Sequence, residues 1–287
     1  MDESLAERVK ALESVEALRK LPHDGIAIAR VDGRSFSRYT RDLARPFDPR
    51  LSRLMIETAR ALTHEAGAVA GYTQSDEITL VMARVSSEAQ VYFDGRIQKM
   101  TSQLGAHATA IFHHLLPAHL PEKAATRALG ALPTFDARVW SVPTRCDAVD
   151  VLRWRQMDGV RNSVLNAAHA TFGHSTIQEK SVRTLIAMLR ERSTPWEQLP
   201  DYFRWGTFVL RRTVRRRFTA TELEVLPPRH AARLNPSLEV ERTELVERAI
   251  PELDEVTNLD AVIFDGAEPA RGPHRETRCD DDDDEVL

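Results

Sequence analysis

The sequence predicts an α+β fold: a ferredoxin-like antiparallel sheet with two helices on one face, continued by a C-terminal helical extension. Three observations predict it. Short apolar runs and stretches of helical periodicity follow the order strand, helix, hairpin, helix, strand over residues 24–142. Two of the apolar runs meet turns at aspartates, Asp32 and Asp76. After Pro143, helical periodicity returns in two long segments before one more strand.

Asp24 to Val31 is a short apolar run and reads as a buried strand. Asp48 is placed to cap a helix with Pro49 at its first position, where a missing N–H costs nothing. That helix, about Pro49 to Glu65, carries Leu51, Leu54, Met55, Thr58 and Leu62 at helical spacing, and Gly67 stops it. Val69 to Tyr72 and Ile78 to Arg84 read as a hairpin with polar residues at its bend. A second helix is expected from about Ser87 to Leu116, and a strand from Phe135 to Val142 ends at Pro143. Residues 1–143 are therefore expected to form a palm-like catalytic unit.

Residues 144–250 are expected to extend that unit, with helices at 148–172 and 176–191 and a strand from Gly206 to about Arg216. Val240 to Ala249 reads as helical. Residues 251–287 read as a flexible acidic tail, and 265–287 hold little to bury.

The 287 residues carry a net charge of −4 that misleads. Seven acids and one base between Glu276 and Leu287 contribute −6, so the rest of the chain is +2. The run Arg211-Arg212-Thr213-Val214-Arg215-Arg216-Arg217 concentrates positive charge and suits either phosphate binding or a charge-guarded edge strand. No stretch approaches the roughly 20 apolar residues that cross a bilayer, and the acidic N-terminus does not resemble a signal peptide. Cys146 and Cys279 are too few for a disulfide framework or a cysteine zinc site, which points to the cytoplasm. The ten histidines form no metal set, and no Gly-Lys-Ser/Thr phosphate loop is present.

The chemistry concentrates in Arg30-Val31-Asp32-Gly33-Arg34-Ser35-Phe36 and Gln74-Ser75-Asp76-Glu77. Two carboxylates at strand ends, 44 residues apart, suit a Mg2+–triphosphate site, because Mg2+ shares one or two carboxylates with substrate phosphates. Gly33 permits a tight turn, and the amides of Arg34, Ser35 and Phe36 are candidates for an anion-binding nest. Arg30 offers a guanidinium to triphosphate oxygens. Adjacent residues on a strand point to opposite faces, so only one of Asp76 and Glu77 is expected to share the face of Asp32. Asp76 is chosen, with Glu77 as a supporting carboxylate. Ser75 offers a hydroxyl to the phosphates. Arg96 and Lys99 share a helix face, and on spacing alone they read as a solvated surface, as do Arg45 and Arg50.

These segments resemble the Arg-Ile-Asp-Gly-Arg-x-Phe and Tyr-Gly-Gln-Ser-Asp-Glu motifs of the tRNA(His) guanylyltransferases and their Thg1-like relatives. Phe135-Asp136-Ala137-Arg138-Val139 is similar to that family's Phe-Asp-Gly-Arg-Val, and Trp154-Arg155-Gln156-Met157-Asp158 to its Trp-Arg-Gln-Ala-Asp. Gly206-Thr207-Phe208-Val209 is similar to its late Gly-Thr-Val-Leu strand. The matches keep the family's order from about Asp24 to Arg217.

The resemblance implies a polymerase-like palm and an unusual reaction, addition of nucleotides to the 5′ end of tRNA in the 3′–5′ direction. It implies two Mg2+ ions held by Asp32, the Gly33 carbonyl and Asp76, with Glu77 as a third catalytic carboxylate. The incoming GTP triphosphate is then held by residues 32–37, including Arg34, Ser35, Phe36 and Ser37, with Ser75, Asp76, Arg30 and Arg45. Arg96 and Lys99 match an Arg-x-x-Lys pair that contacts the nucleotide, ATP or GTP, activating the 5′ end. Asn162, Asn166, Arg211, Arg212 and Arg215 are the expected RNA contacts, and a homotetramer is the expected assembly.

The chain also departs from the family. Where the guanylyltransferase proper has His-Ile-Asn-Asn-Leu-Tyr-Asn, Val160-Arg161-Asn162-Ser163-Val164-Leu165-Asn166 stands here, with Val160 replacing the histidine. The later Lys-Asn-Glu segment has no match before Trp196-Glu197-Gln198. Both are associated with reading the tRNA(His) anticodon, so templated 5′-end repair fits better than strict tRNA(His) specificity. The alternatives are a nucleotide cyclase with a related palm and a non-catalytic RNA-binding protein.

Overall fold

The computed structural model describes residues 4–84, 91–120, 130 and 132–272. Six strands form one sheet: β1 (Ile26–Arg34), β2 (Ala70–Gln74), β3 (Glu77–Met82), β4 (Thr134–Val142), β5 (Thr207–Arg217) and β6 (Glu239–Arg248). Their order is β4-β1-β3-β2-β5-β6, with every neighbouring pair antiparallel. The first four strands have the ferredoxin-like order. Five longer helices accompany them: α1 (Leu5–Ala17), α2 (Pro49–Glu65), α3 (Ile97–His119), α4 (Arg145–Thr171) and α5 (Val182–Glu191).

Both faces of the sheet are covered. Alternation along β1 sends Ala27, Ala29 and Val31 to the α2/α3 side, where they pack with Leu54, Leu62, Leu104 and Phe112. Ile28 points the other way, into a core shared by Val81, Tyr72, Phe208 and Leu152 of α4. A third cluster joins Val164 and Ala168 of α4 to Leu185, Leu189 and Trp196. Burial of each such Leu, Val or Phe side chain contributes about 1.5–3 kcal/mol.

Local chemistry sets the boundaries. Asp48 caps α2, with Pro49 at its first position, as expected. A Thr144–Asp147 capping box starts α4. The helix expected from Ser87 starts only at Ile97, because Phe93, Asp94 and Gly95 take left-handed backbone angles (φ 48°, 56° and 68°) that helix cannot continue through. Its expected first residues, 87–90, lie outside the described residues. The helix expected over 176–191 is broken by Glu179 at φ 60° and restarts where Ser181 caps α5.

Two further expectations are corrected. Of residues 240–249, read as helical, all but Ala249 belong to β6: local Glu and Arg propensity gives way to pairing with β5, where Arg216 meets Glu244 and Arg215 meets Glu239. Residues 251–272 are not a flexible tail. Ile250, Leu253, Val256, Leu259, Val262 and Ile263 are buried against the α4 side of the sheet, and Gln156 receives the Leu253 N–H at 2.9 Å. These apolar residues follow neither period 2 nor 3.6, so no regular element announced them. The acidic run at 276–287 lies outside the described residues. No described helix is long and apolar enough to cross a membrane.

Candidate active site

Asp32 stands near the end of β1, directly across from Glu77 on β3 and Asp136 on β4. Directly paired residues point to the same face, so three carboxylates from three strands share one rung on the α4 side. Like charges placed so oppose each other unless cations intervene. One rung away, Arg30 reaches back to Asp32 Oδ2 at 3.1 Å.

Asp76 comes from the hairpin turn between β2 and β3, after Ser75 at φ 55°. Its backbone carbonyl accepts the Gly33 N–H at 3.0 Å, which locks the two acidic segments together. That approach requires glycine: a Cβ on Gly33 would lie 2.8 Å from Asp76 Cβ and 2.5 Å from Phe36 Cδ2. Burial pushes the Asp76 carboxyl above the usual carboxylate range, and the nearby Asp32 and Glu77 act in the same direction. Its own backbone amide and the Ser75 hydroxyl, 3.1 Å from Oδ1, oppose that shift.

Asp76 does not share the strand face of Asp32 that the sequence led us to expect for it. Glu77 is the residue that shares the face of Asp32, whereas Asp76 lies in a turn, where alternation has no force. Glu77 is nevertheless fully engaged. Arg155 of α4 donates to it from Nε at 2.6 Å and from a terminal nitrogen at 2.5 Å, and Arg30 Nε stands 2.7 Å from Oε2. Arg155 also reaches Asp158 at 3.0 Å.

Two adjoining cavities open on this centre. One, of about 380 Å³, is lined by Arg30, Asp32, Ser75, Asp76 and Glu77 and by the Arg155–His169 face of α4. The other, of about 260 Å³, holds Phe36, Ser37, Arg45, Asp48, Tyr202 and Phe203. They share Gln74, Ser75, Asp76, Asn162 and Asn166. Ser35, at φ 66°, turns β1 into the short helix Phe36–Tyr39, while Arg34 is exposed. Asn162 and Asn166, expected as RNA contacts, thus flank the carboxylates themselves. Val160 packs toward Val164 and Trp196 instead of lining either cavity.

Arg96 and Lys99 are not brought to this centre. Gly105 of α3 sits against Phe135, which pairs with Gly33, and Arg96 lies nine residues earlier, about 13 Å along the helix. Arg96 instead bridges Lys20, ahead of β1, and Lys99 lies over the Phe93 ring. The basic run also disperses. Arg211 donates to the Ala68 carbonyl and buried Arg212 to the Ala267 carbonyl, while Arg216 pairs with Glu222 and Glu244. Arg215 remains exposed beside Glu239. Half-buried Arg211 and buried Arg212 thus spend guanidinium donors on backbone carbonyls.

Arg155 and Asp158 were missed as site residues. Their signal was a charged pair on the inward face of a helix whose neighbours Leu152 and Gln156 are buried. Asp136 was quoted only as part of a motif, and nothing local set it opposite Asp32.

The donor set fits divalent cations. Asp32, Asp76, Glu77 and Asp158 face only Arg30 and Arg155, leaving the centre short of positive charge. Among the described residues no group of three or more His, Cys, Asp or Glu could hold a metal ion by itself. Mg2+ suits such a site, since it completes its shell with water and substrate phosphates.

Comparison with known proteins places these residues in context. Residues 6–143 match the family model described as tRNAHis guanylyltransferase. A tRNA(His) guanylyltransferase from Schizosaccharomyces pombe is 32% identical over 169 residues, 58% of this chain and 60% of that protein. A bacterial tRNA(His) guanylyltransferase (Thg1)-like protein in complex with ATP superposes with a TM-score of 0.66 at 30% identity, covering 73% of this chain and 87% of the other. A bacterial Thg1-like protein in complex with GTP gives 0.59 at 28% identity, covering 73% and 86%.

Proposed function

The chain belongs to the tRNA(His) guanylyltransferase family, and we propose that it is a Mg2+-dependent nucleotidyltransferase extending the 5′ end of tRNA in the 3′–5′ direction. GTP is the favoured nucleotide, and templated end repair is favoured over strict tRNA(His) guanylylation. The observation that carries the proposal is the contact between the two acidic segments through Gly33 and Asp76, at the mouth of two joined cavities. One cavity is polar and carboxylate-lined, suited to phosphates with their cations; the other adds aromatic side chains suited to a base.

In this reading Asp32, Asp76 and the Gly33 carbonyl hold two Mg2+ ions. The bound ions would lower the pKa of the attacking 3′-hydroxyl and stabilise charge on the entering and leaving oxygens. The protein's own part is positioning. Gly33 keeps the β1 turn against the hairpin, Ser75 offers its hydroxyl to the phosphates, and Asn162 and Asn166 present amides between the cavities. The 3′-hydroxyl of the incoming nucleotide attacks the activated 5′ α-phosphorus, and the activating nucleotide or pyrophosphate leaves. Val160 in place of the family histidine supports the looser substrate choice, since its side chain is committed to core packing.

Labelled GTP and a tRNA lacking its first nucleotide test the proposal. Incorporation is expected with Mg2+ and not without it, and Asp32→Ala or Asp76→Ala should abolish it. Incorporation unaffected by both substitutions would remove the site assignment, and a cyclic product formed without RNA would favour a cyclase. A homotetramer acting in the cytoplasm completes the proposal. Exposed Leu5, Val9, Leu12 and Val15 on α1 offer apolar surface for assembly, and light scattering would give the mass.

A further inference from the structure

Five charged groups run in unbroken alternation from α4 across β3 to β1: Asp158, Arg155, Glu77, Arg30 and Asp32. The successive contacts are 3.0, 2.5, 2.7 and 3.1 Å. Glu77 is the centre of the chain. Its two oxygens receive the fork of Arg155, Arg30 approaches Oε2, and the Thr79 hydroxyl lies 3.4 Å from Oε1. Of the four or so lone-pair directions a carboxylate offers, the Arg155 fork takes one on each oxygen and the Thr79 hydroxyl a third, while Arg30 adds charge beside Oε2 without hydrogen-bond geometry. The side chains of Glu77 and Arg155 are 15% and 11% exposed, so neither is a mobile surface group. Asp32 and Asp76 are differently placed. Asp32 accepts one side-chain hydrogen bond, from Arg30, and Asp76 one, from Ser75. Both keep oxygens open to the cavity.

We propose that Arg155 is a positioning residue that keeps Glu77 from ligating metal and, through Glu77 and Arg30, sets the orientation of Asp32. The inference rests on the reading that Asp32 and Asp76 hold the divalent ions. It assigns Glu77 the role of a neutralised strut rather than a third ligand. It also makes α4 part of the catalytic unit, since a residue of that helix governs the charge beneath the metal site. Removing the Arg155 charge leaves Glu77 with Arg30 alone and takes the Arg155 contact from Asp158, so the centre gains one uncompensated negative charge beside Asp32 and Asp76. Divalent cations then bind more tightly but in the wrong arrangement.

The test titrates the full chain with Mn2+ without nucleotide, reading free Mn2+ by electron paramagnetic resonance, beside GTP incorporation into 5′-truncated tRNA. Arg155→Gln is expected to tighten Mn2+ binding about tenfold, the effect of one uncompensated charge a few ångströms away, while turnover falls at least as far. Arg155→Lys keeps the charge and loses the fork, so Mn2+ affinity stays near that of the unsubstituted protein while turnover drops. Glu77→Gln combined with Arg155→Gln restores Mn2+ affinity to within about threefold and recovers turnover relative to Arg155→Gln alone. The double variant leaves Arg30 paired with Asp32 and releases only the part-exposed Asp158, so it carries the test if the single one does not fold. Unchanged Mn2+ affinity in Arg155→Gln, or a double variant as weak as Asp76→Asn, would overturn the inference. Asp76→Asn that binds Mn2+ normally would instead overturn the metal-site reading beneath it.

Discussion

Gly159→Ala tests whether the helical extension holds the hairpin that carries Asp76. A Cβ on Gly159 would fall 1.8 Å from Gln74 Oε1 and 2.7 Å from its Cδ, so the Gln74 amide must leave. A free glutamine would move at small cost, but this one is tied down. Its Nε2 lies 2.9 Å from the Gly159 carbonyl, 2.9 Å from that of Phe203 and 3.3 Å from that of Arg204. Two N–H groups shared among three acceptors amount to about two hydrogen bonds. At roughly 1 kcal/mol each, with a further 1 kcal/mol or so for the carbonyls left unpaired, the loss is about 3 kcal/mol. For a chain of this size that lowers the thermal midpoint by about 5 °C, which scanning calorimetry reads directly. Gln74 lies next to Ser75 and Asp76, so GTP incorporation should fall as well. Gln74→Ala vacates the space that the new methyl group needs, so adding Gly159→Ala to it should cost less than Gly159→Ala alone. A Gly159→Ala protein melting within about 1 °C of the unsubstituted chain would refute the reasoning.

Two other outcomes follow from the same packing. Leu253→Ala should cost about 2–4 kcal/mol in a denaturant titration, because Leu253 is 2% exposed and its N–H is bound by Gln156; a loss below about 1 kcal/mol would show that 250–263 is not part of the core. Glu222 is held at about 2 by the Arg216 guanidinium and by the Thr219 N–H and hydroxyl. A depressed carboxyl stabilises the fold above its unfolded pKa, and that contribution is lost as pH falls toward the folded value. The thermal midpoint of Glu222→Gln should therefore trail that of the parent at pH 6, with the gap narrowing below about pH 4.5. A gap that widens in acid would contradict the assignment.

The legible part of this protein was what local chemistry dictates. Asp48 with Pro49, the short apolar runs of β1 and β3, and the glycine after Asp32 each pointed to a local structure, and each element formed. What was not legible depended on partners distant in sequence. β6 looked helical because its Glu and Arg residues have high helix propensity, and only the arginines of β5 make it a strand. Residues 250–263 looked unstructured because their apolar side chains recur every third residue, a spacing of neither strand nor α-helix, yet they close a core. Asp32 and Asp76 were recoverable because each sits in its own strand-end motif. The surroundings of Glu77 were not, since they depend on Arg155, 78 residues away. Face parity misplaced Asp76 for a simpler reason: the residue lies one position outside the strand to which the rule applies.

The closure of the second core by residues 250–263 also bears on how the chain is made. A chain emerging N-terminus first completes its four-stranded ferredoxin-like unit at Val142, with α2 and α3 already able to cover one face. The other face, bearing Ile28, Tyr72 and Val81, waits for α4 and then for Leu253, Val262 and Ile263. Roughly 120 residues separate Val142 from Ile263, about 6–24 s of synthesis at ordinary rates. For that interval the nascent protein displays a half-finished sheet with a bare apolar side. A ribosome-associated chaperone would find its binding surface there, and the yield of soluble enzyme should respond to translation speed over this stretch.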